Sequence, residues 1–508
     1  MRPPREISLQ SLYKPLCFLY IGESSFHLRG FFFVLPRLIL EYYGSEVNGL
    51  IQSITQFLGV IGFFDMGIGQ VVRSALYEPI ERCDNVQLSR IMVSGGRFYR
   101  KIAYALLGYV AVLLVVYPIS VDKGFDWSFT AGMIAIVSVG LFVQYYCGII
   151  YEQLLYASQK HYILCAIQTI CYILNMAICV VMVRMNCSIH AVKLVMALVF
   201  LIKPLFCMWY IRHKYTIDWH ITYDAEPIKQ KWHGVSQHIS AVVLDGTDNI
   251  VLTLFSTFSN VSIYSVYYMV IGSIQALYQS IVVSIQAAAG AVWAKRDMNG
   301  AKQMFSKVEF CLHTGVVFVF CCTAMLIVPF VQVYTNGLAD ANYTQPTFAA
   351  ILVLAYGSRC LRTPYNSWIL AAGHFKQAQK CHIFAAILNL TISVLAVSFW
   401  GLIGVAVGTL VAMCYQTAWM VIYTAKNLVK CSYKRIIKQW LADIVAVLLI
   451  CTTASGFSLQ IPSYLGWLTL AVKVAFISGV CITSVFCIFF AKEVRQLIKR
   501  FIAGLRRE

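Results

Sequence analysis

Apolar windows of about 20 residues recur along the whole chain, and this feature does most to set the fold class. A helix needs roughly 20 apolar residues to cross about 30 Å of hydrocarbon. Fourteen such windows lie near residues 16–40, 47–72, 101–119, 129–150, 162–183, 190–211, 235–256, 262–289, 309–333, 347–370, 381–400, 402–424, 440–459 and 466–490. Only 12% of the 508 residues are charged, whereas soluble proteins carry about 25%. The sequence therefore predicts an all-α polytopic membrane protein and excludes a soluble or nucleic-acid-binding one.

The positive charge of the chain, +18 overall, is distributed unevenly between its loops. Of the 40 Lys and Arg residues, 31 lie in alternate loops and in the two terminal segments, and the opposite loops hold only Lys123 and Arg184. Basic loops stay on the cytoplasmic side of a membrane. Both termini are therefore predicted to be cytoplasmic, which requires an even number of spans. No secretory signal is expected, because the start lacks an uninterrupted apolar run and a small-residue cleavage site.

An internal repeat appears when the chain is compared with itself at an offset of 214 residues. Tyr151–Val180 then lies over Tyr365–Val394 without a gap, with identities such as Leu174/Leu388 and Asn175/Asn389. The shift equals six spans, so the two halves would run parallel and rock about a central cavity. We expect an atypical segment at 1–30, helical bundles at 31–211 and 235–425, a cytoplasmic linker at 212–234, and two extra helices with a basic tail at 426–508.

Polar side chains form stripes on several spans, and polar groups inside a membrane often line a path for water or substrate. At 100° per residue one stripe runs along the second span from Asn48 and Gln52 to Arg73. The eighth span, its repeat equivalent, carries Tyr268, Gln275 and Tyr278 on one line. These residues are candidates for substrate binding in a shared cavity, with helix–helix hydrogen bonding as the alternative. Candidates for ion coupling are the acidic and histidine residues Asp65, His238, Asp245 and Asp248.

Two arginines near the middle of the tenth span are the strongest candidates for binding an anion. Arg359 and Arg362 lie on one face, three residues apart, and Thr363 and Pro364 follow at once. Proline removes a helix hydrogen bond and interrupts the helix there. Guanidinium groups bind phosphate through two parallel hydrogen bonds. The sequence thus predicts a broken helix that binds an anionic headgroup; an ion pair with Asp245 or Asp248 is the alternative.

Several short motifs resemble the polysaccharide-biosynthesis membrane proteins of the Wzx type, in the multidrug/oligosaccharidyl-lipid/polysaccharide (MOP) exporter superfamily. The motifs lie between about residues 31 and 425. They are Leu35–Leu40 (LPRLIL), Tyr43–Ile51 (YGSEVNGLI), Met66–Gly69 (MGIG), Ala75–Pro79 (ALYEP), Asp248–Leu252 (DNIVL), Val261–Tyr267 (VSIYSVY) and Ala371–Phe375 (AAGHF). Residues 1–30 depart from the family pattern, because Glu23, His27 and Arg29 interrupt the helix usually found there.

The resemblance implies a flippase, not an enzyme, in the bacterial inner membrane. Its cargo would be an undecaprenyl-diphosphate-linked oligosaccharide for capsule, O-antigen or exopolysaccharide synthesis, moved by alternating access. Membrane lipids, a polysaccharide polymerase and chain-length machinery would be partners, and nucleic acid would not. No cofactor or metal is expected, since the chain has neither a GxxxxGK[ST] motif nor paired CxxC motifs. A lipid II flippase, a MATE-like multidrug or cation antiporter, and an O-antigen polymerase or membrane glycosyltransferase are the alternatives.

Overall fold

The computed structural model describes residues 10–64, 66–121, 124–223, 226–227, 246–294, 298–429, 433–454 and 463–491, and this part of the chain is almost entirely helical. The first helices are α1 Gln10–Gly59, α2 Met66–Glu81, α3 Asn85–Ser120, α4 Trp127–Val143, α5 Ile149–Ala157, α6 His161–Arg184, α7 Ile189–Phe200, α8 Ile202–Lys214 and α9 246–255. The remaining helices are α10 Phe258–Ala294, α11 Met298–Tyr334, α12 Pro346–Leu361, α13 Thr363–Ala371, α14 Phe375–Trp400, α15 Leu402–Tyr423, α16 Tyr433–Ala454 and α17 Tyr464–Phe489. A 3₁₀ segment occupies Val60–Phe64, and π turns occupy Gln144–Gly148 and Thr424–Leu428.

The predicted membrane-spanning character is confirmed. Within the described residues, ten helical segments are long and apolar enough to cross a bilayer. The other four predicted windows are interrupted or lie largely outside the described residues. Windows 16–40 and 47–72 fall in α1, which kinks at Gly44 (φ 84°), and in the 3₁₀ segment after it. Window 347–370 is divided between α12 and α13, and window 235–256 is described only from residue 246. The count of fourteen is therefore approximate.

Large apolar side chains on the outer surfaces of the helices are exposed, as expected for surfaces that contact lipid. Phe399 is 83% exposed, Ile488 79% and Phe476 73%, and each lies in the middle or last turns of an apolar helix. A soluble protein rarely exposes contiguous apolar surface on this scale. The chain is accordingly a multi-pass membrane protein.

The described residues form two compact units, the first ending at Ser265 and the second beginning at Val266. The division falls inside α10. The sequence predicts a linker at 212–234. Residues 224–225 and 228–234 of this linker lie outside the described part of the chain. The boundaries predicted at 31–211, 212–234, 235–425 and 426–508 remain predictions.

The internal repeat is visible in the backbone at the predicted offset of 214. Helix α5 (Ile149–Ala157) corresponds residue for residue to α13 (Thr363–Ala371), and α3 corresponds to α11 over 85–120 and 299–334. The turn after α5 is also repeated: Gln159 (φ 59°) and Gly373 (φ 72°) both adopt the left-handed conformation. The amide of Lys160 donates to the Leu155 carbonyl at 2.9 Å. At the equivalent position, the amide of His374 donates to the Ile369 carbonyl at 3.1 Å. The two units thus share one local architecture.

A buried ion pair joins α8 to α5 in the first unit. Nζ of Lys203 on α8 lies 2.9 Å from Oε1 of Glu152 on α5. The two side chains are only 19% and 11% exposed. Next to them, Nη2 of Arg73 donates to Oε1 of Gln153 at 3.0 Å, and its guanidinium lies 4.1 Å from the centre of the Tyr156 ring.

We expect Glu152→Gln to destabilise the protein because it leaves the Lys203 ammonium buried without its carboxylate. Losing one partner of a buried pair costs about 3 kcal/mol, whereas replacing both partners with apolar residues is often neutral. The double variant Glu152→Leu, Lys203→Met should therefore be more stable than Glu152→Gln alone. Thermal unfolding in detergent, followed by size-exclusion chromatography, measures both. Equal melting temperatures for Glu152→Gln and the wild type would contradict a stabilising pair.

Candidate functional site

The predicted interruption of the tenth span is present. Helix α12 ends at Leu361, Arg362 caps it, and α13 begins at Thr363 with Pro364 in its first turn. The chain stays close to helical at the junction, since the Arg362 amide donates to the Ser358 carbonyl (3.2 Å) and the Arg362 carbonyl accepts from the Asn366 amide (3.0 Å). Proline is tolerated at this position because it opens the next helix, where its missing N–H is not needed. The break places Arg362 at the end of one helix and the start of the next.

The two candidate arginines differ in burial, Arg362 being buried and Arg359 half-buried. Arg362 is 9% exposed and its Nη1 lies 3.7 Å from Sδ of Met413 on α15. Arg359, one turn earlier on α12, is half-buried. Burying a guanidinium inside a membrane span is costly and such residues usually mark a functional path. Anion binding by the two arginines stays a prediction.

The substrate candidates of the eighth span lie on α10, in the second unit. Tyr268 packs against Tyr356 of α12 with ring centroids 5.6 Å apart. Tyr356 precedes Arg359 by one turn, so the tyrosine pair adjoins the arginine face. Gln275 has a buried Nε2 with no hydrogen-bond partner among the described residues, and the Tyr278 hydroxyl donates to the Leu312 carbonyl at 3.4 Å. Among the candidates on α10, Gln275 is therefore the one whose side-chain amide has a donor available for a further hydrogen bond.

The candidates of the second span behave differently, because they join helices within the first unit. Nδ2 of Asn48 donates to Oγ of Ser262 at 2.8 Å, and Asn48 is 1% exposed. One turn further along, Ser53 and Thr253 hydrogen bond at 2.7 Å. Gln52 is half-buried. Asn48 and Ser262 are repeat equivalents, and their bond supports the helix–helix alternative for Asn48 over direct contact with a substrate.

The single stripe drawn from Asn48 to Arg73 is wrong as a continuous helical face. It assumed an uninterrupted α-helix, but the 3₁₀ segment Val60–Phe64 separates α1 from α2. A 3₁₀ helix turns by about 120° per residue rather than 100°, so the line rotates before Arg73 is reached. Arg73 instead contacts Gln153 of α5 and the ring of Tyr156.

Of the ion-coupling candidates, Asp248 is the one the structure describes. It lies on α9, is 2% exposed, and its Oδ2 accepts a hydrogen bond from the Tyr264 hydroxyl at 2.7 Å. Asp65, His238 and Asp245 lie outside the described residues. Their proposed roles stay predictions.

Sequence reasoning missed a second set of ionisable residues, in the second unit. Glu309 and His313 lie one turn apart on α11, and Asp443 lies on α16; they are 2%, 0% and 4% exposed. The signal was available, because all three fall inside predicted spans (309–333 and 440–459).

Comparison of this fold with known proteins gives structural matches only. No family model matches the sequence, and no curated protein matches it either. Among solved structures, the inward closed conformation of the lipid II flippase MurJ superposes with a TM-score of 0.68 at 14% identity, covering 94% of this chain and 100% of that one. The chain has the fold of this flippase.

Two further structures with the MOP fold support the same conclusion. An inward-facing multidrug resistance MATE family transporter of that superfamily gives a TM-score of 0.63 at 12% identity, covering 80% of this chain and 98% of the transporter. A MOP superfamily transporter from Pyrococcus furiosus, whose binding pocket is described as having reverse polarity, gives 0.53 at 12% identity, covering 81% of this chain and 97% of that one. The chain thus shares its fold with flippases and transporters.

Proposed function

We propose that the protein is a flippase that moves undecaprenyl-diphosphate-linked oligosaccharide repeat units across the bacterial inner membrane, by alternating access, with both termini in the cytoplasm. The observation that carries this proposal is the buried Arg362 at the break between α12 and α13, one turn after Arg359. A diphosphate headgroup offers the oxygens that paired guanidinium groups bind best. The MOP fold and the sequence motifs quoted above support a lipid-linked cargo.

The nearest alternative is transport of lipid II, whose flippase MurJ gives the TM-score of 0.68 reported above. Lipid II is also a lipid diphosphate, so the same arginines would serve. A MATE-like cation antiporter is favoured by a different observation, the buried Asp248 with its Tyr264 hydrogen bond, because a carboxylate in a span can bind a cation or a proton. The three functions predict different cargoes rather than different folds.

An assay with the purified protein in liposomes distinguishes the three candidate functions. The liposomes would contain, in separate samples, a fluorescent undecaprenyl-diphosphate oligosaccharide, fluorescent lipid II, or the cationic dye ethidium in the interior. We expect the oligosaccharide lipid to reach the outer leaflet, where dithionite quenches its fluorophore, at a rate that empty liposomes do not match. Movement of lipid II alone would favour the MurJ-like alternative. Movement of ethidium alone would overturn the flippase proposal.

The proposed cargo also implies partners that act on it after translocation. A polymerase and its chain-length machinery would consume repeat units at the outer leaflet. Gentle solubilisation followed by affinity purification of the tagged protein would test for such a complex.

A further inference from the structure

The buried ionisable residues of the second unit form one connected cluster. Nδ1 of His313 lies 2.7 Å from Oδ2 of Asp443, and Oδ1 of Asp443 accepts from Nε2 of Gln439 at 3.0 Å. On the same face of α11, Oε1 of Glu309 accepts from the Tyr365 hydroxyl at 2.5 Å. The cluster therefore links α11 on one side to α16 and on the other to α13.

The cluster holds one nitrogen with unused hydrogen-bonding capacity. Nε2 of His313 is buried and has no hydrogen-bond partner among the described residues, although the side chain is 0% exposed. When Nδ1 donates its proton to the Asp443 carboxylate, Nε2 carries the lone pair, and an additional proton can bind there. Protonation there would give an imidazolium directly paired with the Asp443 carboxylate.

Both carboxylates and cations surround the cluster. Two carboxylates buried together are costly unless a proton or a cation compensates them. Arg435 of α16 lies close enough to act on Glu309 electrostatically, and its Nη2 is occupied by the Ser306 carbonyl at 3.0 Å. Asp443 also acts electrostatically on the Cys321 thiol of α11, and the Tyr278 hydroxyl of α10 donates to the Leu312 carbonyl. Helices α12 and α17 also pack on α11, and the cations they carry are Arg359 and Lys473.

The repeat indicates that the fold does not require these residues. At the offset of 214, Glu309 and His313 correspond to Gly95 and Tyr99 of α3, and α3 and α11 end at matching positions, Ser120 and Tyr334. Asp443 lies in one of the two helices that follow the repeat. The first unit thus builds the same helix without a carboxylate or an imidazole, so the cluster is a specialisation of the second unit.

A direct chain of contacts joins the cluster to the candidate anion site. Tyr365, which bonds Glu309, lies in the first turn of α13, three residues after Arg362. The rings of His313 and Tyr365 are 6.1 Å apart. A change of charge on α11 therefore acts on the helix that begins at the break.

We propose that Glu309, His313 and Asp443 form a proton-binding site, and that proton binding at Nε2 of His313 is coupled through Tyr365 and α13 to the position of Arg362 during transport. The proton comes from water on the side where the site is hydrated and returns to water on the other side; no bond other than N–H forms or breaks. The coupling part of this proposal rests on the proposed function, and the proton site does not.

Trp440 provides a local probe of the site. Its indole is perpendicular to the His313 ring, with centroids 5.6 Å apart, and an imidazolium at such a distance quenches indole fluorescence. We would titrate the emission of the full-length protein in nanodiscs between about pH 8 and pH 5, the range in which imidazole titrates. The difference between wild type and Trp440→Phe isolates the Trp440 component.

We expect that component to fall as the pH is lowered and to lose its pH dependence in His313→Gln. Asn389→Ala is the matched control, since Asn389 is 0% exposed, bonds Thr409 at 3.0 Å and cannot titrate; its titration should match the wild type. A flat Trp440 signal in the folded wild type, or an unchanged transition in His313→Gln, would overturn the proton site.

Coupling is tested in the liposome assay with the fluorescent undecaprenyl-diphosphate oligosaccharide and an imposed pH gradient. We expect the gradient to accelerate flipping by the wild type and by Asn389→Ala, and to have no effect in His313→Gln, which should still flip the lipid at the rate seen without a gradient. Unchanged acceleration in His313→Gln would overturn the coupling. If the wild type flips no lipid diphosphate at all, the proposed function fails, and the fluorescence titration decides the proton site on its own.

Discussion

Replacing Arg362 with alanine should reduce flipping of a lipid diphosphate by about two orders of magnitude, because a charge-assisted hydrogen bond contributes up to about 3 kcal/mol and a bidentate pair is lost. Arg359→Ala should have a smaller effect, since this side chain is half-buried while Arg362 is 9% exposed. The double variant should abolish glycan export in a complementation assay.

Two comparisons make this result specific to headgroup binding. Arg362→Lys keeps the charge but loses the planar donor pair, so it should recover only part of the activity. Lys473→Ala removes a cation that lies within a span but is exposed on α17, and it should leave flipping unchanged. Normal surface glycan at normal protein abundance in the double arginine variant would remove the arginines from the site.

Adding a single methyl group at Gly404 or Gly408 should prevent the protein from accumulating in the membrane. A Cβ at Gly404 would overlap the Ala396 carbonyl and lie 2.8 Å from the Val397 nitrogen, and one at Gly408 would overlap the Ser393 hydroxyl and lie 2.8 Å from the Ser393 nitrogen. These neighbours are mostly backbone atoms of α14, which cannot rotate away. Overpacking costs about 1–3 kcal/mol per site, more than the gain of up to about 1 kcal/mol from helix propensity.

Gly108→Ala is the matched control, because a Cβ there would have no atom within 4 Å. It should be neutral or slightly stabilising. The measurement is the yield and melting temperature of each variant in detergent. Gly404→Ala, Gly408→Ala and Gly108→Ala with equal melting temperatures would show that α14 and α15 do not need close contact.

Much of the fold follows from the sequence because membrane spans obey strong and simple physics. Long apolar windows must become helices in lipid, since each backbone polar group has to be satisfied within the segment. The break at Arg362 was predictable as well, because Pro364 cannot donate the helix hydrogen bond. Each of these features depends on the sequence of a single segment.

The sequence did not predict contacts that depend on how two separate segments pack against each other. The partner of Lys203 is Glu152 on another helix, and the partner of His313 is Asp443, which lies 130 residues away. The 3₁₀ segment after Gly59 was also not predicted, because the helical projection assumes a rotation of 100° per residue throughout. Helical periodicity shows which face a side chain occupies, but not which helix lies opposite.

The repeated turn after α5 and α13 shows what the two copies share and where they differ. The left-handed backbone occurs in both copies, at Gln159 and at Gly373, while the carboxylate of Glu309 has no counterpart at the matching position, Gly95. The two copies thus keep one backbone geometry and differ in the ionisable groups that it positions, so a change of pH has groups to act on in the second copy that the first copy lacks.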